Sequence, residues 1–141
     1  MADHRSAFFR KFFVSGSVWT TVETFPDESS AWKFLVIIRE ISRAVYYLRP
    51  TSKSRYFRIA RHCSFVEIPK GTCEVFSVDT FISCDQLHSK SRDEFEQLFA
   101  KGKIDYKGQI SPETLGEIEA KMKASKVLSE REKRYLFGED R

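Results

Sequence analysis

The stretch of sequence that decides the fold is GKIDYKGQISPETLGEIEAKMKASKVLS, residues 102–129. It begins with a short polar segment of the strand type. A helix is then expected to begin at Ser111 and Pro112, because a serine side chain caps free backbone N–H groups and a proline suits the first helical turn. Three apolar residues follow at the spacing of one helical face: Leu115, Ile118 and Met122. The stretch therefore predicts a strand followed by an amphipathic helix.

Two further helices are indicated on either side of this stretch. Each begins with the S-x-x-E capping box, in which a serine and a glutamate side chain bond to backbone N–H groups of the first turn. The first box runs from Ser91 to Glu94, and Gly102 stands where a helix-ending glycine is expected. The second box runs from Ser129 to Glu132. These signals predict helices on both sides of the central one.

Upstream of residue 87, short segments rich in β-branched and aromatic residues alternate with turn residues. The predicted strands are 17–25, 33–39, 44–49, 54–60, 63–68, 74–78 and 79–85. No segment of helical periodicity and length interrupts them in the sequence. Such a series is typical of an antiparallel barrel or sandwich, here followed by helices.

Bulk composition indicates one cytoplasmic domain. The chain has 141 residues, of which 41% are hydrophobic and 31% charged, as in ordinary globular proteins. The longest apolar run, residues 34–38, has the length of a buried strand and falls far short of the roughly 20 residues of a membrane span. The phenylalanine-rich segment 8–13 is too short and too charged for a signal peptide. We therefore expect no membrane insertion and no export.

The cysteines predict neither a metal site nor a cofactor. There are three, Cys63, Cys73 and Cys84, and none belongs to the C-x-x-C pairs typical of zinc sites. An odd number of cysteines in a protein of the cytosol indicates reduced thiols. Core packing and chemical reactivity remain equally open for them.

Positive charge is concentrated in one part of the sequence. Residues 44–61 hold five cations and no acidic residue: Arg49, Lys53, Arg55, Arg58 and Arg61. Aromatic residues, among them Tyr56, alternate with these cations. Single-stranded nucleic acids are commonly held by phosphate neutralisation together with aromatic stacking. The segment thus predicts RNA binding by Arg49, Lys53, Arg55, Tyr56 and Arg61, and the alternative is a solvated strand face whose aromatic residues belong to the core.

Several motifs resemble those of the PemK/MazF-like toxins, of the Kid/CcdB type, which are small SH3-like barrels that cleave RNA. Residues 16–19 (GSVW) resemble the opening "G-D-I-W" strand, and residues 33–37 (KFLVI) resemble the "R-P-A-L-V-I" strand. Residues 49–52 (RPTS) resemble the "P-x-T-S" segment. Residues 77–87 (SVDTFISCDQL) and the stretch quoted first resemble the closing "V-D-Q-L" strand, "G-x-L-S-x-E" turn and terminal helix. The resemblance covers most of residues 16–128.

The resemblance implies a fold, an activity and partners. The fold would be a single domain over 1–141, with an SH3-like antiparallel barrel at about 16–87 and a helical C-terminal part at about 90–137. The activity would be metal-independent RNA cleavage by a toxin of a toxin–antitoxin system. Family members act as homodimers that place the RNA groove across two barrels, and an antitoxin protein restrains them.

Catalytic residues follow from the same resemblance. Family nucleases place an arginine before the proline of the second strand and a threonine or serine at the end of the third. The matching residues are Lys33, followed by Phe34 instead of proline, and the pair Thr51 and Ser52. Lysine supplies charge but not the planar, two-pronged contact of arginine. For Thr51 and Ser52, an ordinary turn after the preceding proline is the alternative interpretation.

Arg58 of the basic segment and His62, directly after it, complete the candidate catalytic set. Arg58 is an alternative to Lys33 for stabilising charge on the phosphate, and His62 is a candidate proton carrier. A histidine between strands is also a common surface or structural residue. A second class of function therefore stays open: a barrel without catalysis that binds nucleic acid or a protein partner.

Overall fold

A computed structural model of the chain describes residues 4–24, 26–27, 29–52 and 64–138. The helices of these ranges are α1 (His4–Phe12), α2 (Arg92–Ala100), α3 (Pro112–Ala124) and α4 (Glu130–Phe137). The strands are β1 (Ser17–Thr24), β2 (Ser30–Ile41), β3 (Ala44–Leu48), β4 (Pro50–Thr51), β5 (Phe65–Ile68), β6 (Thr80–Ser83), β7 (His88–Ser91) and β8 (Ile104–Gln109).

The strands form two antiparallel sheets. One has five strands in the order β7-β3-β2-β1-β8, and the other has three in the order β4-β6-β5. Every pair is antiparallel. The protein is therefore mainly β with helices added, as predicted, and the strands of the described ranges do not close into one barrel. Strand β8 lies within the predicted helical part but pairs with β1, so both parts of the chain contribute to the five-stranded sheet.

The five-stranded sheet is a middle layer that is buried on both faces. Strand β2 shows this directly, because Leu35 and Ile37 belong to one apolar cluster while Val36 and Ile38 belong to another. The first cluster contains side chains of α1 and α2, and the second contains side chains of the three-stranded sheet, α3 and α4. Alternate side chains of a strand point to opposite faces, so a continuous apolar run is what a middle layer requires.

Helix α1 is an element that the sequence signals do not predict. Phe9 and Phe13 lie one helical turn apart and pack against Trp19, with ring centroids 5.6 and 5.5 Å from the indole. The Arg5 guanidinium donates hydrogen bonds to the carbonyls of Phe99 and Ala100 at the end of α2. The helix has no capping motif in the sequence, and tertiary packing is what stabilises it.

The three predicted helix starts are confirmed. Ser91, Ser111 and Ser129 are N-caps whose side chains accept a hydrogen bond from the backbone three residues on, and two of them form complete capping boxes. In α3, Ile118 and Met122 are fully buried and Leu115 is half-buried against the same core. The amphipathic face read from the sequence is thus the face that packs on the sheets.

One predicted strand is wrong, and a second one is not tested. Residues 74–78 are turns and bends instead of a strand, because Phe76 inserts into the core and the Asp79 carboxylate accepts the Lys70 N–H at 2.8 Å, which closes a loop. The predicted strand 54–60 lies outside the described residues.

Asp85 connects separate elements of the fold. Its carboxylate accepts hydrogen bonds from the Ser64 N–H at 2.9 Å and from the hydroxyl of Ser125, which follows α3. It therefore holds the start of β5 and the end of β6 to the helical layer.

Among the described residues, no helix combines the length and apolar character needed to cross a bilayer.

Candidate functional site

A cleft of about 220 Å³ opens where the five-stranded sheet meets the three-stranded sheet. Its lining comes from the start of β2, from β4 with the residue after it, and from the loop before β6. The residues that line the cleft include Trp32, Lys33, Phe34, Thr51, Ser52, Phe76 and Val78. The three described residues of the predicted catalytic set, Lys33, Thr51 and Ser52, therefore line one cleft.

Backbone pairing positions the hydroxyl side of the cleft. Thr51 of β4 pairs with Phe81 of β6, and Pro50 pairs with Ile82. Phe81 and Ile82 are buried, so β4 rests on a rigid part of the core. Ser52 follows directly and is exposed. Thr51 and Ser52 therefore lie at the end of a short strand that is held by backbone pairing. The alternative interpretation, an ordinary turn, describes Thr51 less well.

The opposite wall is a loop with internal bonds. The Thr80 hydroxyl donates to the Val78 carbonyl at 2.9 Å, and Asp79 closes the loop onto Lys70. Phe76 meets Phe34 edge to face, with ring centroids 5.1 Å apart and planes at 71°. This aromatic pair forms an apolar floor beneath the hydroxyl groups.

Lys33 approaches the cleft from its rim. It pairs with Thr21 of β1, while its neighbour Phe34 pairs with Thr20. Successive side chains of a strand alternate between faces, so Phe34 faces the floor and Lys33 starts from the other side of β2. The long, flexible lysine side chain is exposed and can bring its charge to a ligand at the mouth of the cleft.

A second group of polar residues lies at the same end of the five-stranded sheet. The Arg49 guanidinium donates to both carboxylate oxygens of Glu23, at 3.3 and 3.2 Å. The His88 imidazole stacks on the Tyr47 ring, with centroids 5.5 Å apart and planes at 23°. Burial and the nearby Arg49 charge lower the pKa of His88, against a smaller opposite influence of Glu23. We call Glu23, Tyr47, Arg49 and His88 the arginine cluster; its histidine is neutral at pH 7.

The structure describes little of the predicted RNA-binding set. Arg49 is described, and its guanidinium pairs with the carboxylate of Glu23 on β1. The basic segment contains no acidic residue of its own, but the fold brings this one next to it. The remaining candidates lie outside the described residues: Lys53, Arg55, Tyr56, Arg58, Arg61 and His62. Of the other aromatic residues in the segment, Tyr47 is only 4% exposed and Tyr46 packs against Tyr135. These two tyrosines belong to the core, as the alternative interpretation of the segment, a solvated strand face, expects for its aromatic residues.

Trp32 and Glu23 are candidate functional residues that the sequence reasoning missed. Trp32 precedes the predicted strand 33–39, whereas β2 begins at Ser30 and includes it. An exposed tryptophan is a signal only when its exposure is known, and the sequence does not reveal exposure. Glu23 carries no motif and becomes relevant only through its contact with Arg49.

The cysteines and the acidic residues give no metal centre in the described part of the chain, where no group of three or more His, Cys, Asp or Glu side chains could hold an ion. Cys84 is fully buried, and burial raises the pKa of its thiol to about 12. Its thiol is therefore protonated and serves core packing. Cys73 is half-buried and free, and Cys63 lies outside the described residues.

Comparison of the chain with protein-family models finds no matching family, and comparison with curated proteins finds no matching protein. The features of this protein that bear on its function are therefore the cleft, the arginine cluster and the motifs of the sequence.

Proposed function

We propose that the protein is a toxin-like RNA-binding protein that cleaves RNA without a metal ion. One observation carries the proposal: Lys33 belongs to one motif and the pair Thr51 and Ser52 to another, and all three residues line the same cleft. A positive charge and two hydroxyl groups around an apolar floor suit a phosphodiester with its attached base.

The proposal includes the finer fold of the PemK/MazF-like proteins, an SH3-like barrel. Its support is the arrangement of a five-stranded and a three-stranded antiparallel sheet around one shared apolar cluster. Strand β4 follows β3 after a single residue and changes from one sheet to the other, as strands do where a barrel turns a corner.

The proposed reaction is attack of the RNA 2′-hydroxyl on the adjacent phosphorus. The 2′-oxygen forms a bond to phosphorus and gives up its proton, the bond to the 5′-oxygen breaks, and that oxygen takes a proton. The products are a 2′,3′-cyclic phosphate end and a 5′-hydroxyl end. Lys33 or Arg58 would stabilise the added negative charge, Thr51 and Ser52 would hold the phosphate, and His62 would carry a proton.

The same proposal names partners and location. The protein would act in the cytoplasm as a homodimer, bind RNA and be restrained by an antitoxin protein. It would use no cofactor. The homodimer and the antitoxin follow from the sequence resemblance, and the cytoplasmic location follows from the composition of the sequence.

The test is incubation of the purified protein with a mixed-sequence RNA in EDTA. We expect cleavage with 2′,3′-cyclic phosphate ends, because the attacking group is the RNA's own hydroxyl. Cleavage that needs a divalent ion, or that leaves 5′-phosphate ends, would contradict the proposed chemistry.

A second candidate is a binding module that has lost catalysis. The observation that favours it is Lys33-Phe34, which stands where the nucleases of the family have arginine and proline. RNA that is bound in the same assay but never cut would support this candidate.

A further inference from the structure

The two tryptophans of this protein have opposite environments. Trp19 is 0% exposed, and its indole N–H donates a hydrogen bond to the Ser17 hydroxyl at 2.9 Å. Trp32 is 49% exposed. A tryptophan is a large apolar side chain that normally contributes to a core or an interface, so its exposure at the rim of a cleft requires a reason.

The position of Trp32 gives that reason. It lies two residues before Phe34 on β2, so both side chains are on the face that the cleft opens from. Val78, 50% exposed, lies on the opposite wall. The hydroxyl residues Thr51 and Ser52 line the same cleft. The cleft therefore combines an exposed indole and an apolar wall with groups suited to a phosphate.

We propose that Trp32 is the stacking platform for one nucleobase of single-stranded RNA, next to the phosphate held at Thr51 and Ser52. The inference depends on the proposed function and adds the base-binding subsite to it. An indole face stacks on any base, and each such contact contributes strongly to single-strand binding. A volume of about 220 Å³ is smaller than the pockets of drug-sized ligands and suits a single flat ring.

An RNA base fits the cleft better than an apolar peptide does. A peptide would bury Trp32 and Val78 but would bring no phosphate to the hydroxyl groups that line the same cleft. A nucleotide brings a flat apolar face and an anionic phosphate together. The base must leave its own stack to reach the indole, so the subsite selects single strands over duplexes.

The experiment measures the affinity of a single-stranded RNA oligonucleotide by titration. Four proteins are compared: wild type, Trp32→Ala, Trp32→Phe and Tyr135→Ala. Tyr135 is a matched control because it is a 50% exposed aromatic residue on α4, away from the cleft. We expect Trp32→Ala to weaken binding about 5- to 150-fold, Trp32→Phe to weaken it less, and Tyr135→Ala to leave it unchanged.

Three further readouts separate stacking from a structural role. The slope of log affinity against log salt should be the same in wild type and Trp32→Ala, because no charge is removed. An abasic ribose–phosphate chain should bind wild type and Trp32→Ala equally. RNA should also quench tryptophan fluorescence in wild type but not in Trp32→Phe, where the buried Trp19 is the remaining indole.

The outcomes distinguish this inference from the proposed function. If wild type binds RNA and Trp32→Ala binds it as tightly, the stacking subsite is wrong while the proposed function survives. If wild type binds no RNA at low salt, both are wrong. Loss of abasic-chain binding in Trp32→Ala, or a change from dimer to monomer with unchanged RNA affinity, would assign Trp32 a structural or interface role and overturn the inference.

Discussion

The two faces of the five-stranded sheet differ in how completely they are covered. On one face, Trp19 is in contact with Phe9 of α1, with Phe13 directly after α1 and with Phe99 of α2, and its indole is fully buried. On the other face, the three-stranded sheet and α3 cover most of the surface but leave the cleft beside Trp32. We call these the sealed face and the open face. A chemical role is best sought where packing stops, because only there can a side chain meet a ligand.

The largest effect is expected on the free energy of unfolding, from a substitution on the sealed face. Replacing Phe95 by alanine should lower the free energy of unfolding by about 3–5 kcal/mol, since a fully buried ring is removed from contact with Phe13 and Tyr47. Urea unfolding measures the change. Phe8→Ala, on the same layer but 39% exposed, is the control and should cost clearly less.

A loss below about 0.5 kcal/mol for Phe95→Ala, the level of an ordinary surface change, would show that this face is not sealed. The affinity of the folded variant for RNA should not change, because the open face is untouched.

The next largest effect is expected on catalysis at the cleft, which Thr51 lines and which Lys33 reaches from the other side of β2. Lys33→Ala and Thr51→Ala should each slow RNA cleavage on the order of 100- to 1,000-fold, the usual result of removing one donor that stabilises transition-state charge. Single-turnover rates in EDTA measure it. Lys126→Ala, an exposed lysine after α3, is the matched control for lost charge and should cut RNA at the wild-type rate.

Full activity in both Lys33→Ala and Thr51→Ala would place the catalytic site elsewhere. The free energy of unfolding should change far less in these variants than in Phe95→Ala. The unfolding free energy and the cleavage rate would then each distinguish the cleft variants from the core variant.

A smaller effect is expected at the arginine cluster. Glu23→Gln removes the charge that pairs with Arg49, so the guanidinium becomes available to an RNA phosphate. The slope of log affinity against log salt should then steepen by about 0.7, the value for one additional phosphate contact on a single strand. Asp93→Asn is the matched control, because it removes the closer of the two carboxylates that pair with Arg43 on the surface.

An equal change of slope in Glu23→Gln and Asp93→Asn would indicate a general charge effect instead of a contact by Arg49. An unchanged slope in Glu23→Gln would remove Arg49 from the RNA-binding set.

The smallest effect concerns pH. The pKa of His88 is lowered in the folded protein, so the unfolded chain takes up a proton at this position at higher pH than the folded chain does. The resulting stability is fully present above the unfolded pKa of about 6.5 and is lost as the pH falls through the folded pKa. His88→Gln should therefore lose less of its melting temperature than wild type between pH 7.5 and 5.5.

His4→Gln, at an exposed position of α1, is the control for the change from histidine to glutamine itself. An identical pH dependence in wild type and His88→Gln would show that the cluster does not couple His88 to folding.

Elements with local signals could be predicted well. The starts of α2, α3 and α4 follow from Ser91, Ser111 and Ser129, because a cap satisfies backbone groups within its own turn. The site residues Lys33, Thr51 and Ser52 came from motifs. Neither their common cleft nor the exposure of Trp32 was predictable, since both depend on how β2, β4 and the loop before β6 meet.

Local sequence is enough to predict the β-rich order of the chain, the buried run of β2 and the three capped helices, because each depends on neighbours a few residues away. Contacts between distant segments are needed for the loop at residues 74–78, for helix α1 and for the pairing of Arg49 with Glu23. These outcomes depend on contacts between distant segments, whose free energy appears only when hydrophobic burial brings the segments together.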